Sequence, residues 1–224
     1  MSIKLRFVVL VFSFLWITNV VIAQKGTLDL SAFMGVSFAS LEKTDNIKAQ
    51  EGLTTPFGGV SIEYELFDHF RVGYSLGNMT KGGTFIFDAT DENGIIVGEI
   101  STKNKVQYLS NLISIKGRFG NKIMIYPEIG ISFDALIGHE FKVDPYGSFS
   151  GRSESKKELY NPLNMGFVYG IGGRYMLNSK IGLGINFKIS NGLSVLSDEP
   201  EVSFMAQKPT NYLCALDFVW RIHK

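Results

Sequence analysis

The stretch that decides the fold lies at residues 59–76 and reads GVSIEYELFDHFRVGYSL. Apolar and polar side chains alternate along it, both before and after Asp68 and His69. A period of two residues is typical of β-strands, whose successive side chains point to opposite faces of a sheet. The stretch therefore predicts two antiparallel strands joined by a tight turn.

The same alternation recurs in six further segments of the chain. They are residues 27–38, 113–119, 123–134, 166–175, 181–189 and 212–222. The connections alternate in length: three are tight (67–69, 120–121 and 178–179) and four are long (41–55, 81–104, 138–160 and 191–210). Short turns at one end and long loops at the other are typical of outer-membrane barrels. The sequence thus predicts an all-β fold, an eight-stranded antiparallel up-and-down transmembrane β-barrel.

Two features modify this simple pattern. Between Val106 and Leu112 the alternation slips, which predicts a β-bulge. Thr84–Ala89 and Ile95–Ile100 also alternate, and they flank Asn93-Gly94, a strong hairpin signal. Each is shorter than the ~9–11 residues that cross a bilayer, so we interpret them as outward extensions of the third and fourth strands. A barrel of ten strands is the alternative.

The N-terminus is typical of a secretory signal peptide. Basic Lys4 and Arg6 precede an apolar run that ends in small residues near Ala23. We expect residues 1–23 to be removed after export, which leaves residues 24–224 as one barrel domain; an uncleaved anchor is the alternative. The formal net charge of +1 and the 45% hydrophobic content argue against disorder and against a nucleic-acid partner.

Alternation alone does not say which face lies inside, because a soluble lipocalin-like barrel would turn its apolar face inward. The polar face here mixes isolated charges with many Gly and Ser residues, as in a narrow packed lumen. We therefore expect the apolar face to contact lipid, in a bacterial outer membrane. Six aromatic residues are candidates for interfacial girdles: Tyr64, Tyr74, Tyr169, Tyr175, Tyr212 and Trp220.

The polar face carries a nearly balanced set of charges, which predicts ion pairing inside a plugged, non-conducting lumen. Its members are Asp29, Glu63, Glu65, Arg71, Lys116, Arg118, Glu128, Asp134, Arg174, Lys188, Asp217 and Arg221. No cofactor is expected. A single cysteine, Cys214, and three histidines offer too few ligands for a zinc cluster.

Several segments resemble the PorT-like family of small outer-membrane β-barrel proteins, also described as porin-like. They are residues 59–70, Lys81-Gly82, Tyr108-Leu109, 166–175 and 182–193. The chain departs from the family at Ser110-Asn111, where a proline is common. The resemblance implies a non-enzymatic protein of the cell envelope, and some relatives serve protein secretion.

Three functions follow as hypotheses. The first is a structural or surface-interaction barrel whose outside loops, especially Thr84–Ile100 and Gly138–Tyr160, bind a protein partner. The second is a narrow channel or transporter for small or hydrophobic molecules, for which lumen glycines would leave a gap. The third is a lipid-modifying enzyme with His139, beside Glu140, as its base. Ordinarily such a histidine is only a solvated loop residue.

Overall fold

The computed structural model describes residues 26–41, 49–90, 93–145, 151–155, 157–197 and 207–222. The predicted signal peptide at residues 1–23 lies outside these ranges. No helix among the described residues is long and apolar enough to cross a membrane.

The described chain consists of β-strands and one short 3-10 helix, Lys157–Leu159. The strands are β1 (Leu28–Leu41), β2 (Ala49–Glu51), β3 (Leu53–Phe67), β4 (Phe70–Thr90), β5 (Ile96–Gly117), β6 (Ile123–Val143), β7 (Arg152–Glu154), β8 (Leu163–Met176), β9 (Ile181–Gly192) and β10 (Pro209–Ile222).

Eight long antiparallel strands close into a ring. Neighbours in the chain pair with one another, and β1 pairs with β10 from Leu28↔Ile222 to Leu41↔Pro209. The eight-stranded prediction is confirmed and the ten-strand alternative is wrong. The two extra segments are the outer ends of β4 and β5, while β2 and β7 are three-residue additions paired with β4 and β6.

The tight turns and the bulge are confirmed, but the predicted loop 81–104 is largely strand and the start of the predicted loop 138–160 is strand as well. β4 and β5 stay paired from Phe70↔Gly117 to Thr90↔Ile96, and β6 continues to Val143. The Asn93-Gly94 turn makes the long hairpin possible, because Gly94 has a φ of 78° that other residues rarely adopt. The bulge falls where the β5–β6 register shifts between Gln107 and Tyr108.

The burial pattern is inverted relative to a water-soluble barrel. On the outer face Met34 is 71% exposed and Leu216 63%, whereas Asp29 and Glu63 on the inner face are 1% and 2% exposed. Ring closure satisfies the backbone hydrogen bonds of every long strand, so such a surface can contact lipid without unpaired N–H groups. The apolar face is therefore the outer face, as the sequence predicts.

The aromatic prediction is only partly right. Tyr175 and Trp220 are exposed near the tight-turn end, and Tyr212 is exposed near the other. Tyr64 is buried, because the segment at Gly26 packs against its ring. Tyr169 pairs with Ile129 and Ile189 in the middle of the apolar belt, away from either interface.

A small apolar core closes the loop end of the barrel. Residues from several strands and loops meet there: Leu41, Phe85, Val106, Tyr108, Tyr160 and Leu196. The backbone of Asn161 bonds that of Leu196, so the two connections that flank β8 and β9 are held together. We call this cluster the outer cap. It extends the packed core beyond the apolar belt.

Candidate functional site

The candidate site is the interior of the barrel near the tight-turn end. Asp29 of β1 lies at its centre and accepts hydrogen bonds from three arginines. Arg174 Nη1 lies 2.7 Å from Asp29 Oδ2, Arg221 Nε lies 2.8 Å from Oδ1, and Arg71 Nη1 also bonds Oδ2. All four side chains are buried, so the charges are shielded from water.

Glu63 of β3 is the second centre of the same interior. Lys116 Nζ donates to Glu63 Oε1 at 2.6 Å and Arg174 Nη2 at 3.2 Å. Lys116 also lies 3.6 Å from Glu128 Oε2, which Lys188 Nζ contacts at 2.8 Å. Together with Asp29 and its three arginines, these acids and bases connect all eight long strands across the lumen.

Towards the tight turns the network becomes more accessible. Arg118 Nη1 lies 2.7 Å from Glu65 Oε1, and Arg71 Nη2 lies 3.2 Å from Glu65 Oε2. Below them a polar pocket of about 240 Å³ opens at this end, lined by Asp68 and His69 among others. All of the predicted lumen residues except Asp134 and Asp217 belong to this continuous set, which we call the lower network.

The two remaining residues lie elsewhere in the lumen. Asp217 accepts a hydrogen bond from Asn186 Nδ2 and lines a cavity of about 60 Å³. Lys116 and Lys188 line the same cavity, so it lies directly above the lower network. Asp134 lies above the cavity, where Ser110 donates to its Oδ1 at 2.5 Å.

Asp134 pairs with a residue that the sequence reasoning placed in a loop. Lys81 is 1% exposed, and its Nζ lies 2.6 Å from Asp134 Oδ2 and also donates to Asn164 Oδ1. The ammonium lies 5.1 Å from the ring centre of Tyr108, within cation–π range. We call this group the upper pair. The sequence could have predicted this position, because Lys81 lies an even number of residues after Arg71 on the same strand and so points to the same, inner face.

His139 does not lie in a solvated loop, contrary to expectation. It belongs to β6, is 8% exposed, and packs against Tyr160 with ring centres 4.2 Å apart. Its Nε2 lies 3.2 Å from Asn104 Oδ1, and Asn104 Nδ2 donates to Tyr160 Oη at 2.5 Å.

The pKa values of both rings shift. Burial lowers the pKa of His139 although Glu140 and Glu158 act in the opposite direction, and burial raises that of Tyr160 although Asn104 opposes it. His139 is therefore a neutral part of the outer cap near pH 7.

These contacts determine what the interior can do. A barrel of eight strands has room for little more than its own side chains. Here the lower network, the upper pair and the outer cap fill it at three successive levels. Ions would have to break buried pairs to pass, at a cost of several kcal/mol for each unpaired charge.

Comparisons with known proteins add evidence on the fold. No protein-family model matches the chain, and no curated protein matches it. The resemblance to the PorT-like family therefore stays a prediction.

Solved structures of small outer-membrane barrels are similar in fold. A major outer membrane protein from Thermus thermophilus is 13% identical with a TM-score of 0.50, and the match covers 89% of this chain and 100% of that one. Ail from Yersinia pestis, solved with the heparin analogue sucrose octasulfate, is 14% identical with a TM-score of 0.45, covering 89% and 100%. The N-terminal barrel of OprF from Pseudomonas aeruginosa is 12% identical with a TM-score of 0.43, covering 88% and 97%. The chain thus has the eight-stranded fold of small outer-membrane β-barrel proteins.

Proposed function

We propose that the protein is a non-enzymatic, non-conducting barrel of a bacterial outer membrane that presents its loop end to a partner outside the cell. The observation that carries this proposal is the combination of an apolar outer belt with a lumen closed by buried ion pairs. Both chain ends and the tight turns then face the periplasm, and the β4–β5 hairpin projects outward.

The closed lumen favours this function over a narrow channel. The cavity between the lower network and the upper pair has about 60 Å³, which suits a few water molecules. At several inward-facing glycines, the space that a side chain would occupy is already filled by a large neighbouring side chain, so the glycine leaves no gap. A side chain at Gly172, for example, would collide with the ring of Tyr126.

A planar bilayer experiment tests the closed lumen. Reconstituted protein that migrates differently with and without boiling on a gel is folded, and we expect it to give no steady single-channel steps. Steady conductance by such folded protein would contradict the proposal and favour the transporter.

The β4–β5 hairpin is the part of the loop end best suited to a protein partner. Its tip exposes Ile95, Ile96 and Val97 in succession, beyond the apolar belt and above the outer cap. An exposed apolar tip of this kind is typical of a protein contact site. The link to protein secretion that the family resemblance implies would act through such a contact.

Site-specific photo-crosslinking in intact cells tests this contact. A crosslinker at Ile96 should capture a discrete partner, whereas one at Asn121 in a tight turn serves as the periplasmic control. Equal labelling patterns at both positions, or none at Ile96, would contradict an outward-facing contact site.

The lipid-modifying alternative has less support. His139 contacts Asn104, whose amide is not a nucleophile, and Tyr160, whose hydroxyl is buried and has its pKa raised by that burial, so it is poorly suited to attack a lipid. Its burial in the outer cap accounts for the residue without an enzymatic role. Loss of a lipid hydrolysis activity on H139Q substitution would overturn this view.

A further inference from the structure

The apolar belt is not equally tall around the barrel. On β8 the outward positions from Leu163 to Tyr175 are all apolar or glycine. On β4 the outward apolar side chains run only from Phe70 to Leu76, and Asn78 follows at the next outward position. For strands that rise ~3.3 Å per residue and are tilted by ~40°, the two spans are ~30 Å and ~15 Å tall.

The short span leaves a polar side chain among lipid chains. Both spans start at the tight-turn end of the barrel, and the hydrocarbon layer of a bilayer is ~30 Å thick. Apolar residues flank Asn78 on both sides, since Leu109 pairs with it on β5 and exposed Pro56 and Val60 lie on β3. An apolar face that is too short for the bilayer can be relieved by association with another protein.

The amide of Asn78 is only partly used within the barrel. Its Oδ1 accepts a hydrogen bond from the backbone N–H of Gly58 at 2.7 Å. Its Nδ2 has no hydrogen-bond partner among the residues that the structure describes, and the side chain is exposed. An unpaired amide donor is strongly unfavourable in hydrocarbon.

Asn111, on the neighbouring strand β5, shows how such a side chain is otherwise accommodated. Its Oδ1 accepts a hydrogen bond from Tyr74 Oη at 2.7 Å, and its Nδ2 donates to the backbone carbonyl of Phe133 at 3.1 Å. Both ends of this amide are thus satisfied inside one barrel. Of the two amides, Asn78 is the one that requires a partner from outside.

The surroundings of Asn78 permit a close approach. Gly58, which pairs with Asn78, has no side chain, and small residues let membrane segments come close enough for polar side chains to bond across the contact. The tilt of β3 carries Val60 sideways, so that it lies almost directly below Asn78. We call the surface formed by Gly58, Val60, Leu76 and Asn78 the amide face.

A second copy of the chain matches this face in depth and in chemistry. A twofold axis along the bilayer normal places each residue at the same depth as its counterpart. Two Asn78 side chains can then bond reciprocally, because each Nδ2 donates to the Oδ1 of the other copy, which has a second lone pair. The two short apolar faces are removed from lipid at the same time.

We propose that the barrel forms a twofold-symmetric dimer within the outer membrane through the amide face. This inference rests on the proposed membrane insertion, and it adds a second copy of the chain as a partner inside the bilayer. The β4–β5 hairpins of both copies still project outward, so the dimer presents two contact sites at its loop end.

Cysteine crosslinking of the full chain in lipid vesicles tests which face is in contact. In a C214S background, V60C places a thiol in the amide face, and I171C places one on β8, four strands away around the ring. The two positions are similarly exposed, at 57% and 54%. Oxidation should convert V60C largely into a dimer and leave I171C monomeric. Equal crosslinking of both variants, or none at V60C, would overturn the proposal.

Energy transfer between donor-labelled and acceptor-labelled barrels measures the contribution of Asn78. The dyes are attached to N121C in the C214S background, and the vesicles are diluted with lipid. One hydrogen bond between membrane segments contributes roughly threefold to association, so the two reciprocal bonds contribute about tenfold. We therefore expect N78A to weaken association about tenfold. The matched control N111A removes the satisfied amide and should change association by less than twofold.

Two results of this titration would overturn the dimer: a wild type that stays monomeric at every dilution, or equal losses in N78A and N111A. The gel mobility of unboiled samples shows whether each variant is folded. A wild type without a heat-modifiable folded band would instead contradict the membrane barrel itself, so the two failures are distinguishable.

Discussion

Replacing Asp29 by Asn removes the central charge of the lower network and preserves its shape. Asp29 accepts four hydrogen bonds from charged donors: one from Arg71, one from Arg174 and two from Arg221. Each such bond contributes about 1.5–3 kcal/mol net, and an amide oxygen retains about half of this set. The three guanidiniums also lose their shared counter-charge, and breaking a buried pair costs about 3–5 kcal/mol.

We therefore expect D29N to lower the free energy of unfolding by about 4 kcal/mol. With a slope of about 2 kcal/mol per molar urea, the unfolding midpoint in lipid vesicles should fall by ~2 M. Tryptophan fluorescence and the gel mobility of unboiled samples would follow the transition. Trp220 lies on β10 next to Arg221, so its fluorescence reports on the perturbed end of the barrel.

Asp68 provides the matched control, because it is exposed in the turn between β3 and β4. D68N makes the same chemical change and should alter the free energy of unfolding by less than about 0.5 kcal/mol. If D29N costs less than about 1 kcal/mol, Glu63 and water compensate the arginines, and the assignment of Asp29 as the centre of the network is wrong.

Three further perturbations test other parts of the interior. K81M leaves Asp134 buried without its cation and should lower the free energy of unfolding by about 3–5 kcal/mol in urea titrations. The double variant K81M/D134L should regain most of that free energy. Equal instability of the two variants would argue against the upper pair. G172A places a methyl group 2.1 Å from an amide oxygen and should cost about 1–3 kcal/mol, while the neighbouring G173A, which meets nothing within 4 Å, should be nearly neutral in the same assay. Burial lowers the pKa of His139, so its contribution to the free energy of unfolding should be complete above the unfolded-state pKa of about 6.5 and should be lost as the pH falls through the lower folded-state pKa. The H139Q variant should therefore lose less free energy of unfolding than the wild type between pH 7.5 and pH 5.0. Identical pH profiles of the two proteins would refute this reasoning.

The alternation of apolar and polar residues along the chain was sufficient to predict the ring of strands and which side chains point into it. A residue such as Glu63 lies inside because its neighbours Ile62 and Tyr64 must lie on the other face. The identity of its ion-pair partners did not follow, since Lys116 and Arg174 lie 53 and 111 residues away in the chain. Those contacts depend on register across several strands, which one segment does not encode.

The loop end was least predictable for a related reason. Phe85 and Val106 belong to segments that alternate like any other strand, and their burial depends on loops that fold over them. Tyr160 and Leu196 give no alternating signal, because each directly follows another apolar residue, Leu159 or Val195, in a mostly polar connection. Packing between distant connections, rather than local pattern, forms the outer cap.

The composition of the lower network indicates what it contributes to folding. Each of the eight long strands supplies at least one member: Asp29, Glu63, Arg71, Lys116, Glu128, Arg174, Lys188 and Arg221. A slip of one residue in any strand would turn its charge towards lipid and an apolar residue into the lumen. The penalty for a charge on the lipid face is about 2–4 kcal/mol near the bilayer midplane, and the former partners would be left buried and unpaired as well. The outer belt tolerates many apolar arrangements, so the discrimination between registers comes from the lumen. The buried ion pairs therefore stabilise the native closure of the ring relative to its misregistered alternatives, even where their net contribution to the free energy of unfolding is small.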